Sequence, residues 1–169
     1  GICLTGGEPC FFEDLPEFME KIRNLGMEIK LDTNGTFPEM LKRVIDMGLV
    51  GYVAMDIKAP LTFAAYKKSA RIKSKELLRK IRQSIDIITH SGVDYEFRTT
   101  VVPILHCEED IIEIAREIEG TKKYALQNFS NRDTMDPEFQ KITPYKIADL
   151  EKIRKLSLQY VQSCVVRGK

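Results

Sequence analysis

Apolar residues return along this chain in two alternating rhythms. β-compatible segments lie at 2–5, 28–32, 50–56, 94–102 and 123–129, those at 2–5 and 50–56 with few polar residues, and they predict five strands. Between them, apolar positions recur every three or four residues. Leu15, Phe18, Met19, Ile22 and Leu25 form one stripe, and Leu41, Val44 and Ile45 a second. Leu77, Leu78, Ile81, Ile85 and Ile88 form a third, and Ile111, Ile114, Ala115 and Ile118 a fourth. Each stripe predicts an amphipathic helix. Asp14 with Pro16 and Glu17 signals one helix start, and Thr36-Phe37-Pro38-Glu39 fits a capping box for another. Gly26, Gly48, Gly92 and Gly120 follow the four stripes as helix stops. Thr143-Pro144 opens a last helix over about 145–163, and 58–73 reads as a long connection.

Strand, helix and strand in repetition mean an α/β fold with a parallel sheet and right-handed crossovers. A curved, barrel-like sheet and an open, doubly wound sheet both satisfy the pattern. No linker or low-complexity tract interrupts residues 1–169, so a single domain is expected. The chain opens directly on the apolar Gly1-Ile2-Cys3-Leu4-Thr5, which reads as the interior of a longer protein.

Composition narrows the classes. With 169 residues, 43% hydrophobic and 30% charged, the chain is neither disordered nor fibrous. Lys plus Arg less Asp plus Glu is 26 − 25 = +1, so net charge implies no nucleic-acid or membrane partner. No apolar run approaches the roughly 18–20 residues that span a bilayer. The cysteines Cys3, Cys10, Cys107 and Cys164 form neither a CxxC nor a CxxxCxxC group, and reduced thiols in a cytoplasmic protein are expected. Lys67, Lys68, Arg71, Lys73, Lys75, Arg79, Lys80 and Arg82 against Glu76 make a stretch of 8 − 1 = +7. It reads as a solvated face, with docking of an acidic partner or RNA as the alternative. His106, beside Cys107 at a strand end, reads as structural before it reads as a ligand.

Ligands of parallel α/β folds bind at the carboxyl ends of strands. Those ends carry Thr5-Gly6-Gly7-Glu8-Pro9, Asp32-Thr33-Asn34-Gly35 and Asp56-Ile57-Lys58, then Pro103 to Cys107 and Gln127-Asn128-Phe129-Ser130-Asn131. Each alone fits a turn, a cap or an ion pair. Arg98, inside an apolar strand, needs a partner and fits a salt bridge. Together they suggest a pocket for a small zwitterion. Paired glycines expose backbone to an ammonium group beside a carboxylate, and Lys58 suits the ligand's own carboxylate.

These residues resemble a known family. Thr5-Gly6-Gly7-Glu8-Pro9 after a strand is similar to the GGE motif of radical S-adenosylmethionine (SAM) enzymes. Asp32-Thr33-Asn34-Gly35, Asp56-Ile57-Lys58-Ala59-Pro60 and Arg98-Thr99-Thr100-Val101-Val102 in the same order resemble the activating enzymes of glycyl-radical enzymes. The activator of anaerobic ribonucleoside-triphosphate reductase is the nearest type, with the pyruvate formate-lyase activator next. Gln127-Asn128-Phe129 and Met135-Asp136-Pro137-Glu138 fit that type too. The resemblance runs from Ile2 to about Glu138.

It implies a TIM-like partial (βα)6 barrel, a [4Fe–4S] cluster on three cysteines of a CxxxCxxC loop, and SAM on the open iron. Reductive cleavage of SAM gives a 5′-deoxyadenosyl radical, which abstracts hydrogen from a glycine of the partner. By resemblance, Gly6, Gly7 and Glu8 hold the SAM amino group and Lys58 meets its carboxylate. Asp32, Thr33, Asn34 and Asp56 organise the same site, and Arg98 joins them. The implied partners are a glycyl-radical enzyme such as anaerobic ribonucleotide reductase and a flavodoxin- or ferredoxin-type reductant. Another radical SAM enzyme acting on a small molecule or RNA, or a cluster-free binding module, are the alternatives. The sequence departs from the family where the cluster loop belongs. An incomplete barrel lacking its first βα unit, inactive in redox chemistry, is therefore expected, with the edge of the first strand prone to self-association.

Overall fold

The computed structural model describes residues 1–132, 134 and 136–168. Those residues form six strands and six helices that largely alternate. They fall into two compact units, Gly1–Asp56 with Ile72–Glu96, and Ile57–Arg71 with Phe97–Lys169.

In the first unit, β1 (Ile2–Leu4), β2 (Ile29–Thr33) and β3 (Tyr52–Asp56) pair in parallel. The helix α1 (Leu15–Asn24) lies between β1 and β2 in sequence, and α2 (Pro38–Asp46) between β2 and β3. A third helix, α4 (Lys75–His90), packs on α2. Leu31, Val53 and Met55 from the strands and Met19, Leu41, Val44 and Ile88 from the helices are fully buried. Each such side chain contributes roughly 1.5–3 kcal/mol by leaving water. The α1 stripe is narrower than expected, because Phe18 and Leu25 are exposed.

In the second unit, α3 (Phe63–Ala70) precedes the long strand β4 (Asp94–Val101), which enters this unit at Phe97. The strand β5 (Tyr124–Asn128) pairs in parallel with β4 and with β6 (Cys164–Arg167). The helices α5 (Glu108–Glu117) and α6 (Ile147–Ser157) pack together. Phe97, Tyr124, Leu126, Ile111, Ile114 and Leu150 make this core.

The five expected strands are present, and each ends within one residue of its expected position. Three expectations need correction. The last helix stops at Ser157, and a sixth strand, Cys164–Arg167, follows it. The connection at 58–73 contains α3, whose first turn is capped by the Thr62 hydroxyl accepting from Ala65 N–H at 3.3 Å. Thr36 does not cap α2; its N–H (3.0 Å) and hydroxyl (2.6 Å) both donate to Asn34 Oδ1. The Met135-Asp136-Pro137-Glu138 motif lies partly outside the described residues, at Met135.

Candidate functional site

The carboxyl end of β1 runs into a loop that only glycine builds easily. Gly6 and Gly7 have φ of 91° and 57°, in the left-handed region. A Cβ at either position would meet nothing within 4 Å, so the requirement is conformational. Both glycines are exposed, and their backbone is open to a ligand. Beside the loop, Cys3, Thr5, Gly6, Pro9, Phe12 and Phe18 help to line a cleft of about 360 Å³.

Glu8 ties this loop to the end of β2. Its Oε1 accepts from the Thr33 hydroxyl at 2.7 Å and from Cys10 N–H at 3.1 Å, and its Oε2 accepts from Asn34 N–H at 2.7 Å. A carboxylate offers about four acceptor positions, so the chain itself fills most of them. Thr33 Oγ1 accepts in turn from Gly35 N–H at 3.1 Å. Gly35 is enclosed: its carbonyl accepts from the buried Ser84 hydroxyl at 2.8 Å, and an added Cβ would fall 2.1 Å from Met55 Cε. Glu8, Thr33, Asn34 and Gly35 thus form one hydrogen-bonded assembly across two strand ends.

Asp32 is half-buried and accepts from Lys30 Nζ at 2.5 Å. The parallel register sets Cys3 beside Lys30 and Lys30 beside Tyr52, then Asp32 beside Ala54. With a period of two, Asp32 and Asp56 follow on the same face of this sheet. Asp56, the last residue of β3, is half-buried on it.

Lys58 and Arg98 belong to the second unit. The strand β3 ends at Asp56, so Lys58 sits in a loop, where strand alternation does not govern it. The loop backbone is fixed by bonds from several elements. Ile57 N–H donates to the Arg98 carbonyl at 2.8 Å, and the buried Thr99 hydroxyl donates to the Ile57 carbonyl at 2.8 Å. Lys58 N–H donates to the Tyr66 hydroxyl at 3.2 Å. His106 Nε2 lies 2.8 Å from the Lys58 carbonyl, and Val102 N–H donates to His106 Nδ1 at 3.1 Å. Arg98 is half-buried within β4, one side of a row that continues with Ala125 in register. The structure adds Asn128 at the end of β5. Its Nδ2 donates to the Tyr145 carbonyl at 3.0 Å, while its buried Oδ1 has no hydrogen-bond partner among the described residues. The sequence signals Asn128 as part of a polar strand end and of the Gln127-Asn128-Phe129 segment.

The thiols do not fit an iron–sulfur cluster. Cys3 and Cys107 are exposed, Cys10 and Cys164 buried. Burial, with the nearby Glu8 carboxylate, pushes the Cys10 thiol up to about 12, and burial raises Cys164 to about 12 as well. The four cysteines do not form the CxxxCxxC group that a cluster loop of this family would need. No group of three or more His, Cys, Asp or Glu among the described residues is placed to hold a metal. The open GGE backbone, by contrast, fits the amino-acid end of SAM, whose ammonium needs acceptors. No helix among the described residues is long and apolar enough to cross a membrane.

Comparisons with known proteins place the chain in a family and support its fold. The chain is 35% identical to a candidate glycyl-radical enzyme activating enzyme of Methanocaldococcus jannaschii, over 98% of this chain and 70% of that protein. It is 28% identical to the GTP 3′,8-cyclase of Nautilia profundicola, over 68% of this chain but 36% of the cyclase. Among solved structures, a domain of the pyruvate-formate lyase-activating enzyme of Bacteroides vulgatus superposes with a TM-score of 0.70 at 16% identity, covering 99% of both chains. An archaeal TYW1 superposes with a TM-score of 0.65 at 14% identity, over 94% of this chain and 49% of that one. These likenesses establish the α/β fold of six parallel strands as the partial-barrel type. The radical SAM superfamily model matches residues 1–123, the stretch that carries the GGE loop and the β2, β3 and β4 strand ends, and the chain belongs to that superfamily.

Proposed function

We propose that this chain is the SAM-binding part of a glycyl-radical-enzyme activating enzyme. The supporting observation is the GGE assembly: two exposed left-handed glycines held in place by Glu8 on Thr33 and Asn34. On this reading the backbone carbonyls of the Gly6-Gly7 turn accept from the SAM ammonium. Glu8 acts chiefly by fixing the turn, because its oxygens already receive the chain's own donors. Asp32 and Asp56 supply negative charge on the same sheet face, and Lys58 pairs with the SAM carboxylate. Arg98 holds the Ile57 backbone through its carbonyl. Given one electron from the family's cluster, bound SAM would part into methionine and the hydrogen-abstracting 5′-deoxyadenosyl group, and the described residues include no ligand set for that cluster. The likeness to the candidate glycyl-radical enzyme activating enzyme of Methanocaldococcus jannaschii supports a glycyl-radical enzyme as the partner.

The test is made in a cluster-bearing form of the protein. Anaerobic incubation with SAM, a reductant and the anaerobic ribonucleotide reductase of the same cell is expected to produce a glycyl radical, read by electron paramagnetic resonance. Consumption of SAM without that radical would favour the small-molecule reading, which the likeness to GTP 3′,8-cyclase supports. Lys58→Ala is expected to weaken SAM binding by about 10–100-fold through loss of one charge-assisted bond. Unchanged affinity would remove Lys58 from the carboxylate role.

A further inference from the structure

Lys58 follows the end of β3 on a loop, yet both faces of its backbone are held. The Ile57–Lys58 peptide is bonded at each end: its carbonyl accepts from Thr99 Oγ1 at 2.8 Å, and its N–H donates to Tyr66 at 3.2 Å. The following peptide is bonded at its carbonyl, by His106 at 2.8 Å. Fixing the peptide planes before and after a residue fixes the direction of its Cα–Cβ bond. A lysine so held loses less conformational freedom when it grips an anion.

The imidazole is itself specified. Nδ1 receives Val102 N–H at 3.1 Å, so it must be the unprotonated nitrogen. Nε2 then carries the hydrogen and donates to the Lys58 carbonyl. Tyr145 braces the same turn, its hydroxyl donating to the His106 carbonyl at 2.8 Å. Tyr66 and His106 are fully or nearly fully buried, at 1% and 3% exposure, so neither is placed to meet a ligand. Both bond to the Lys58 main chain, and through it they can act on that residue.

We propose that Tyr66 and His106 are positioning residues that clamp the backbone of Lys58 and so set the aim of its ammonium group at the SAM carboxylate. This rests on the carboxylate role of Lys58 proposed above.

A double-mutant cycle tests it, with SAM affinity measured calorimetrically in the cluster-bearing protein. His106→Leu is expected to weaken SAM about 3–10-fold when Lys58 is present and to have no further effect in the Lys58→Ala background. Tyr66→Phe should show the same dependence, and it keeps the ring should the leucine variant fail to fold. His106→Gln, which retains a donor near the Nε2 position, should recover most of the affinity. Equal losses in both backgrounds would mean that the two residues serve only the fold, and would overturn the proposal. Unchanged affinity for Lys58→Ala itself would instead sink the carboxylate role. In the 169-residue chain, imidazole ¹⁵N shifts should report the Nε2–H tautomer; the Nδ1–H form would also overturn the clamp.

Discussion

At His106 both ring nitrogens have assigned work, and that makes its protonation state a property of the fold. Burial lowers its pKa from the ordinary 6.5, reinforced by Lys68 and opposed by the Lys58 carbonyl and Asp110. The neutral ring is thus the form the folded protein prefers. Above about pH 6.5 its contribution is complete. As pH falls further, the unfolded chain takes the proton first and stability drops, until the lower folded-state value is passed. Urea midpoints at about pH 7 and 5 should therefore fall less for His106→Gln than for the parent. Parallel curves would mean that the ring titrates alike in both states. Gly35 poses a steric constraint instead. Alanine there must hold a φ of 76° and push aside Met55, which is fully buried. Strain and overpacking together predict a loss of about 2–4 kcal/mol in urea unfolding. A loss under about 1 kcal/mol would show that the Met55 side chain simply swings away.

Between elements, Thr33 is the tie that joins the carboxyl ends of β1 and β2. Thr33→Val keeps the shape but removes the donor to Glu8 and the acceptor for Gly35. It is expected to cost about 1–3 kcal/mol and to speed amide exchange at Cys10 and Asn34. Unchanged exchange would mean that Glu8 holds the loop without it. Most elements were legible in the sequence, because β3 with three consecutive buried residues reads as an apolar run, β2 reads by alternation, and several helices stop at glycine. The misses have local causes. Cys164-Val165-Val166-Arg167 is four residues long and follows directly on a helix-compatible stretch, so 145–163 absorbed the approach to β6. In α3 only Tyr66 is buried, which leaves no stripe to read. At Thr36 the competing acceptor was Asn34, two residues upstream. The GGE and Asp32–Gly35 segments were legible because their chemistry is local. The Lys58 clamp was not, because it joins the side chains of Tyr66, Thr99 and His106 to main-chain atoms that only folding brings near them.

Taken as a whole, the chain belongs to the radical SAM superfamily, and no group of three or more His, Cys, Asp or Glu among its described residues is placed to hold a metal. Anaerobic reconstitution of the 169-residue chain with iron and sulfide is accordingly expected to give no [4Fe–4S] signal. A stable, stoichiometric signal would show that cysteines of separate chains combine. The family and fold were both legible from the ordered motifs, and residues 1–123 and the TM-score of 0.70 bear them out.

The engagement of Glu8 has a kinetic consequence. A loop already tied by Thr33, Asn34 and Cys10 has no ordering step left to perform when a ligand arrives. SAM should then associate in a single phase whose rate rises linearly with concentration, without the plateau that a slow loop closure imposes.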